Sequence, residues 1–269
     1  MLSAELVQEI DMAAATIQSL SGSPYDEGEV RVDVLRLDRI HSVISGNKWF
    51  KLKYFLEEAK NGIISFGGAY SNHIVACAYA AARAGIPAIG FIRGEEHHPL
   101  SPSLAEARRY GMQLQYLSRA DYQHKESPAF IHSLAQRYPG YRIIPEGGAG
   151  DKGIQGAAEI LKNLSIESYS HLLAAVGTGT MVKGLALGAL PHQQVIGISV
   201  LKGMEPHLPV PGAAVPVLIE TSYHWGGYAR KAEALLDFMN HFYRTQGIPT
   251  DFVYTGKLMF ALTDLLSKG

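Results

Sequence analysis

Cysteine is nearly missing from this chain: Cys77 is the single one in 269 residues, so no internal disulfide can form. It lies in an Ala-rich apolar stretch, where a cysteine acts as a small buried hydrophobe rather than a reactive thiol, and a reducing cytoplasm fits. An excess of one charge is missing too. With 24 Lys+Arg against 25 Asp+Glu and a formal charge of −1, no global field recruits nucleic acid or an anionic membrane. The longest apolar stretch, Ile74 to Ile92, is broken by Arg83, Gly85 and Pro87, which excludes a membrane span. The first twenty residues read as an amphipathic helix, with Leu6, Val7 and Ile10 among Glu5, Glu9 and Asp11. They lack the basic-then-apolar order of a signal peptide, so the protein is expected to stay where it is made. His97-His98 has no cysteine or acid cluster at ligand spacing beside it and reads as surface loop, not metal site. Internal repeats and low-complexity tracts are absent.

What is present is ample apolar material, 47% of the chain, enough for one large domain or two modest ones. Residues 30–37 alternate apolar and charged, the period of a strand with one wet face. Residues 49–58 carry apolar side chains at helical spacing and stop near Asn61-Gly62. A rhythm of short apolar run, turn and helix follows: strands over 63–66, 87–93, 112–117 and 141–145, with helices over 72–84, 103–110 and 128–137. Such alternation implies a parallel sheet covered on both faces. The expected fold is α/β, with mainly parallel sheet flanked by helices: a larger domain from residues 1–53 and 146–269, and a smaller one inserted over 54–145. Beyond the glycine-dense segment 146–156, helices are expected over 157–164, 181–190, 230–246 and 257–266, and strands over 171–176 and 194–200. Residues 206–216, with four prolines, read as an extended loop.

In open α/β sheets ligands bind where strands hand over to helix N-termini. Four junctions carry unusual residues. In Gly46-Asn47-Lys48 a lysine follows a glycine turn at the mouth of a helix, where it can lose solvent and become a nucleophilic amine. Lys48, Lys51 and Lys53 could equally form an exposed helix face. In Ser65-Phe66-Gly67-Gly68-Ala69-Tyr70-Ser71-Asn72-His73, Ser71 or Asn72 opens a helix. Plain N-capping accounts for them, and the alternative is a grip on a carboxylate or ring oxygen. Gly177-Thr178-Gly179-Thr180 offers amides and hydroxyls at a helix start, as a phosphate requires. It is neither a dinucleotide fingerprint, since Val182 takes the sixth place, nor a P-loop, since Leu185 follows Gly184. The fourth is Tyr254-Thr255-Gly256, a polar pair after a strand-like run. A phosphate cradle, a strand-end lysine and polar loops together point at pyridoxal phosphate, whose aldehyde needs the amine and whose phosphate needs the cradle.

Taken in order, Gly46-Asn47-Lys48-X-X-Lys51-Leu52, Gly67 to His73, Gly177 to Thr180 and Val253-Tyr254-Thr255-Gly256-Lys257 resemble the 1-aminocyclopropane-1-carboxylate deaminase and D-cysteine desulfhydrase family, within the tryptophan-synthase-β-like pyridoxal enzymes. The resemblance spans nearly the whole chain. It implies that Lys48 carries the cofactor aldehyde and shuttles the α-proton. Asn72 would bond the cofactor's ring hydroxyl, while Ser71 and His73 fall where relatives hold the substrate carboxylate or poise a hydroxyl near Cα. Lys51 and Gly177, Thr178, Gly179 and Thr180 match the phosphate site. Tyr254 and Tyr228 match active-site tyrosines, and Thr255 the partner of the ring nitrogen. Cyclopropane openers resemble one another in having glutamate at that last position and desulfhydrase-like members a hydroxyl, so the threonine points to β-elimination from a small amino acid such as D-cysteine. A homodimer is the family's expectation.

Two features depart from the family's pattern. His73 stands where glutamine is common, and the chain stops at Gly269 without the final strand and glycine turn that usually close the cofactor site. Three readings therefore compete: a lyase or deaminase, with D-cysteine elimination ahead of cyclopropane opening; a degenerate member that binds cofactor or amino acid without turnover; and an unrelated sugar-phosphate or nucleotide binder using Gly177 to Thr180.

Overall fold

A computed structural model describes residues 4–162 and 164–268. In chain order its elements are α1 (Ala4–Glu9), β1 (Ile17–Ser19), β2 (Asp33–Leu35), α2 (Lys48–Glu58), β3 (Ile63–Gly67), α3 (Asn72–Arg83), β4 (Ala88–Arg93), α4 (Pro102–Arg109), β5 (Gln113–Leu117), α5 (Arg119–Gln123), α6 (Pro128–Arg137), β6 (Arg142–Ile144), α7 (Asp151–Ala158), β7 (His171–Val176), α8 (Thr180–Gly188), β8 (Gln194–Ser199), β9 (His207–Leu208), β10 (Val217–Glu220), α9 (Glu233–Gln246) and α10 (Thr255–Ser267). Among the described residues no helix is long and apolar enough to cross a membrane.

The chain forms two compact units, Met1–Ala15 with Leu37–Gly156, and Thr16–Arg36 with Ala157–Gly269. The first carries a four-stranded, wholly parallel sheet in the order β5-β4-β3-β6. Every residue of β3 is buried, as a central strand covered on both faces must be. On one face Ile64, Phe66, Ile89 and Phe91 pack with Tyr122 and Leu134; each such side chain contributes roughly 2–3 kcal/mol by leaving water. Helix α2 packs on α3 and β6, so Lys48 falls in this unit and not with the residues after 156, where the expected boundary had put it. The second unit carries the order β7-β8-β10-β9, parallel except for β9. Its satellite core joins Leu20, Tyr25, Phe242, Ile248 and Met259.

Several local expectations are corrected. Residues 1–3 of the expected N-terminal helix lie outside the described residues, and the rest is helical only to Glu9. There the Asp11 carboxylate accepts from the Ala13 and Ala14 amides and starts a separate turn. The strand expected over 30–37 shortens to β2, which pairs antiparallel with β1. Helix α5 and strands β1, β9 and β10 have no counterpart in the sequence reading: β1 lies where the N-terminal helix is expected, β9 within the expected loop 206–216, and β10 just after its prolines. Residues 251–254 are turn rather than strand. Asn163, in the helix expected over 157–164, lies outside the described residues, and the helical stretch begins earlier, at Asp151.

The glycines of that segment have a tertiary use. A Cβ on Gly156 would lie 1.8 Å from the Phe50 carbonyl oxygen, and one on Gly148 would lie 3.1 Å from the Lys51 carbonyl oxygen. Backbone thus rests directly on the backbone of α2. Because a carbonyl cannot swing aside, Gly156→Ala is expected to cost about 3 kcal/mol or more as overpacking, read as a lowered urea midpoint.

Candidate active site

Lys48 follows a turn held in part by local polar atoms. His41 Nδ1 accepts from the Val43 and Ile44 amides, both at 2.9 Å, its ring rests on Tyr79, and Gly46, at φ +65°, donates to the Leu37 carbonyl. Helix α2 then opens with Lys48 Nζ donating to Asn47 Oδ1 at 3.0 Å. One turn on, Lys51 is only 7% exposed, which overturns the exposed-face alternative for this lysine cluster. Among the described residues no hydrogen bond or ion pair satisfies its ammonium. Burial, then the charge of Lys48, pushes its pKa down to about 7, with Cys77 opposing.

His73 lies in the same cluster, 4% exposed, with Nε2 2.9 Å from Ser65 Oγ. That hydroxyl also donates to the Ile144 carbonyl. Burial first, then Lys51 and Lys48, holds the imidazole well below its usual pKa, the Pro145 carbonyl opposing. The ring is therefore neutral and turned into the core. At the head of α3 the parts that can reach a ligand are the first amides, of Asn72 and His73, which no helix satisfies internally. Ser71 caps the helix, Oγ accepting from the Ile74 amide at 3.2 Å while keeping its own hydrogen. The Asn72 side chain makes no hydrogen bond to the described residues. Cys77 is fully buried, and burial pushes its thiol up to about 12, which agrees with an inert cysteine.

In the second unit β7 ends at Val176 and Gly177-Thr178-Gly179 turns into α8. Gly179 is left-handed at φ +81° and no side chain caps the helix. A Cβ on it would meet Leu208 at 2.8 Å, so only glycine brings the backbone into this turn. The hydroxyls of Thr178 and Thr180 bond each other at 2.9 Å. Tyr254 packs against Gly177, where a Cβ would approach its ring to 3.2 Å. The Tyr228 ring meets that of Tyr254 edge-on, centroids 6.4 Å apart. These residues form one group.

Thr255 is exposed beside that group, but its hydroxyl is engaged. It donates to Asp251 Oδ2 at 2.9 Å and accepts from the Asp251 amide at 2.8 Å. The Asp251 carboxylate is itself consumed, accepting from the amides of Val253, Tyr254 and Thr255. Sequence reasoning gives no role to Asp251, although an aspartate just ahead of a helix is a recognisable cap; it also misses His41, and it includes Ser65 in the second junction without a role for its hydroxyl.

These two groups offer an amine, a buried cation and an uncapped helix start. Residues 33–269 match the family described as pyridoxal-phosphate dependent enzyme. The chain belongs to that family. Among its relatives is a Thermotoga maritima protein named "Putative 1-aminocyclopropane-1-carboxylate deaminase", 29% identical over 86% of this chain and 83% of its own. A Pyrococcus horikoshii protein of the same name is 26% identical over 84% and 76%. Among solved structures, an ACC deaminase homologue superposes with a TM-score of 0.78 at 24% identity, over 95% of this chain and 85% of its own. An O-ureido-L-serine synthase follows at 0.67 and 15%, over 100% and 88%; these two likenesses speak to fold alone.

The residues present fit pyridoxal phosphate. A buried ammonium without a counter-charge is unfavourable unless an anion joins it. An uncapped helix N-terminus entered through a left-handed glycine presents its amides to a phosphate. The family's cofactor thus has both an amine and anion-binding groups in this chain.

Proposed function

We propose that this pyridoxal-phosphate dependent enzyme is a lyase that eliminates the β-substituent of a small amino acid, D-cysteine foremost. Cysteine and one water become pyruvate, ammonia and hydrogen sulfide. The observation that carries the choice is Thr255, the position assigned to the cofactor's ring nitrogen. It carries a hydroxyl in place of a carboxylate, one already bonded to Asp251, and the Asp251 carboxylate is itself spent on three amides and that hydroxyl. Among the described residues no free carboxylate stands beside Thr255 to hold a full positive charge on the ring. A moderated electron sink suits expulsion of a good leaving group such as thiolate.

When bound, pyridoxal phosphate supplies the aldehyde that takes the substrate amine and the ring that draws electrons from Cα. The chain does the rest. Lys48 Nζ receives the Cα proton, a positioned general base contributing about 10²–10⁴-fold. Ser71 Oγ donates its free hydrogen to the substrate carboxylate, which also faces the Asn72 and His73 amides. His73 acts through that amide, its ring being buried. The Asn72 side chain bonds the ring hydroxyl. Lys51 and the amides of the Gly177–Thr180 turn take the phosphate. Tyr228 and Tyr254 face the substrate and can return a proton to the departing sulfur. A homodimer in a reducing compartment completes the reading.

Cyclopropane-ring opening is the second reading, favoured by the names the curated relatives carry. A turnover screen of D- and L-amino acids with 1-aminocyclopropane-1-carboxylate, reading oxo acid, separates them. Pyruvate with sulfide from D-cysteine is expected. A four-carbon oxo acid from the cyclopropane alone would replace this reading with the second, and cofactor binding without any product would leave a degenerate binder.

A further inference from the structure

Lys257 is a lysine in an unfavourable place. It is fully buried, 0% exposed, and stands in the first turn of α10, where the helix dipole repels a cation. Among the described residues no carboxylate pairs with it. Its ammonium instead donates to two backbone carbonyls, His224 at 2.9 Å and Gly227 at 2.8 Å. Those carbonyls close successive turns. His224 also accepts from the Gly227 amide at 2.9 Å, and Gly227 from the Arg230 amide at 3.2 Å.

The segment so held is strained. Trp225 and Ala229 adopt φ of 54° and 55°, and between them Gly226 and Gly227 lie at 88° and 116°. Positive φ at a bulky residue such as tryptophan is a genuine outlier and persists only where the surroundings over-determine it. Here Lys257 supplies two of the bonds that do so, beside the Gly226 amide donating to His224 Nδ1 and the edge-on contact of Trp225 with Phe260. The residue it delivers is Tyr228, immediately after Gly227, whose ring lies edge-on against Tyr254, itself packed on Gly177.

We propose that Lys257 is a positioning residue: it clamps the turns over 224–230 so that Tyr228 is presented, together with Tyr254, beside the Gly177–Thr180 turn. Its functional part rests on the reading above that Tyr228 faces the substrate; the clamp itself does not. Removing the clamp leaves the phosphate turn intact and releases the tyrosine.

Two measurements test this. In hydrogen exchange followed by mass spectrometry on cofactor-free protein, Lys257→Met is expected to speed exchange of the amides of 225–230 by at least about 10-fold, with those of α8 unchanged. Unchanged exchange over 225–230 overturns the clamp. In turnover of whichever amino acid the screen identifies, Lys257→Met and Tyr228→Phe are each expected to lower kcat/KM by about 10-fold or more. Their combination should add no more than about twofold, cofactor Kd should stay within about twofold, and Lys257→Arg, which can still fork to both carbonyls, should recover part of the loss. Fully additive losses, or Lys257→Met lowering only the melting temperature, overturn the positioning role. A Tyr228→Phe variant as active as wild type refutes the reading of Tyr228, and the exchange result then decides the clamp alone.

Discussion

Replacing Lys48 by alanine is expected to lower turnover by at least about 10³-fold, toward the upper end of what a positioned base contributes, and to end covalent capture of the cofactor. Borohydride treatment of the loaded wild type should add the cofactor's mass to the peptide carrying Lys48, and the same treatment of Lys48→Ala should add none there. The experiment has a built-in rival. Lys51 stands one helical turn away and holds its amine at a pKa of about 7, so by proton affinity alone it is a competent nucleophile. Exposure argues the other way: Lys51 is only 7% exposed, whereas Lys48 is half-buried at the helix mouth and bonded to Asn47. Mass added to Lys51 in the wild type would exchange the two roles. No covalent mass on either lysine, with cofactor bound, would remove the enzymatic account. A further consequence reads without substrate. Deleting the charge of Lys48 relieves Lys51, whose pKa should move up toward the usual lysine range, and with it that of His73, which both ammoniums depress.

The elements are legible where side-chain period and turn residues agree, as in α2, β3, α3 and β7, whose apolar residues recur at the spacing their packing requires. Segment 146–156 is not. Its glycines, taken locally, mean loop, but they are there because backbone must approach Phe50 and Lys51 closely, a tertiary demand that leaves no local trace. The same blindness applies to the lysines. Whether 48, 51 and 53 face water is decided by what packs on α2, which is α3, β6 and the segment that follows β6, none of it adjacent in the chain. The glycine turns before Lys48 and Thr180 are legible because positive φ favours glycine. Thr255 can be found by position, yet nothing at 255 itself announces that Asp251 has claimed its hydroxyl. Lys257 stands out in the sequence only as the end of a motif. Its work is to hold carbonyls thirty residues away, and carbonyls carry no sequence signature.

Lys51→Met is expected to pull stability and cofactor affinity in opposite directions. In the unfolded chain the amine titrates at the ordinary lysine value of 10.5, and in the cofactor-free fold at about 7. Between those values the unfolded state binds the extra proton, so stability should rise with pH from about 7 to 10.5 and carry the full penalty below 7. A tenfold loss of proton affinity is worth about 1.36 kcal/mol, which makes that penalty of the order of 5 kcal/mol at pH 6. Methionine fills nearly the same volume without the charge, so the cofactor-free variant should melt several degrees higher than wild type at pH 6 and gain less at pH 9. The cofactor sees the reverse. A phosphate, dianionic above about pH 6, restores the proton to Lys51, so wild-type affinity should weaken above pH 7 by up to about tenfold per pH unit. The variant loses a charge-assisted hydrogen bond of about 1.5–3 kcal/mol, roughly 10- to 150-fold in Kd, and with it that pH slope. Differential scanning calorimetry of the cofactor-free proteins and fluorescence titration with pyridoxal phosphate from pH 6 to 9 read both halves. A variant that melts lower than wild type at pH 6 would mean Lys51 has a counter-charge in solution; an unchanged Kd and slope would mean the phosphate is held without it, by the amides at the start of α8.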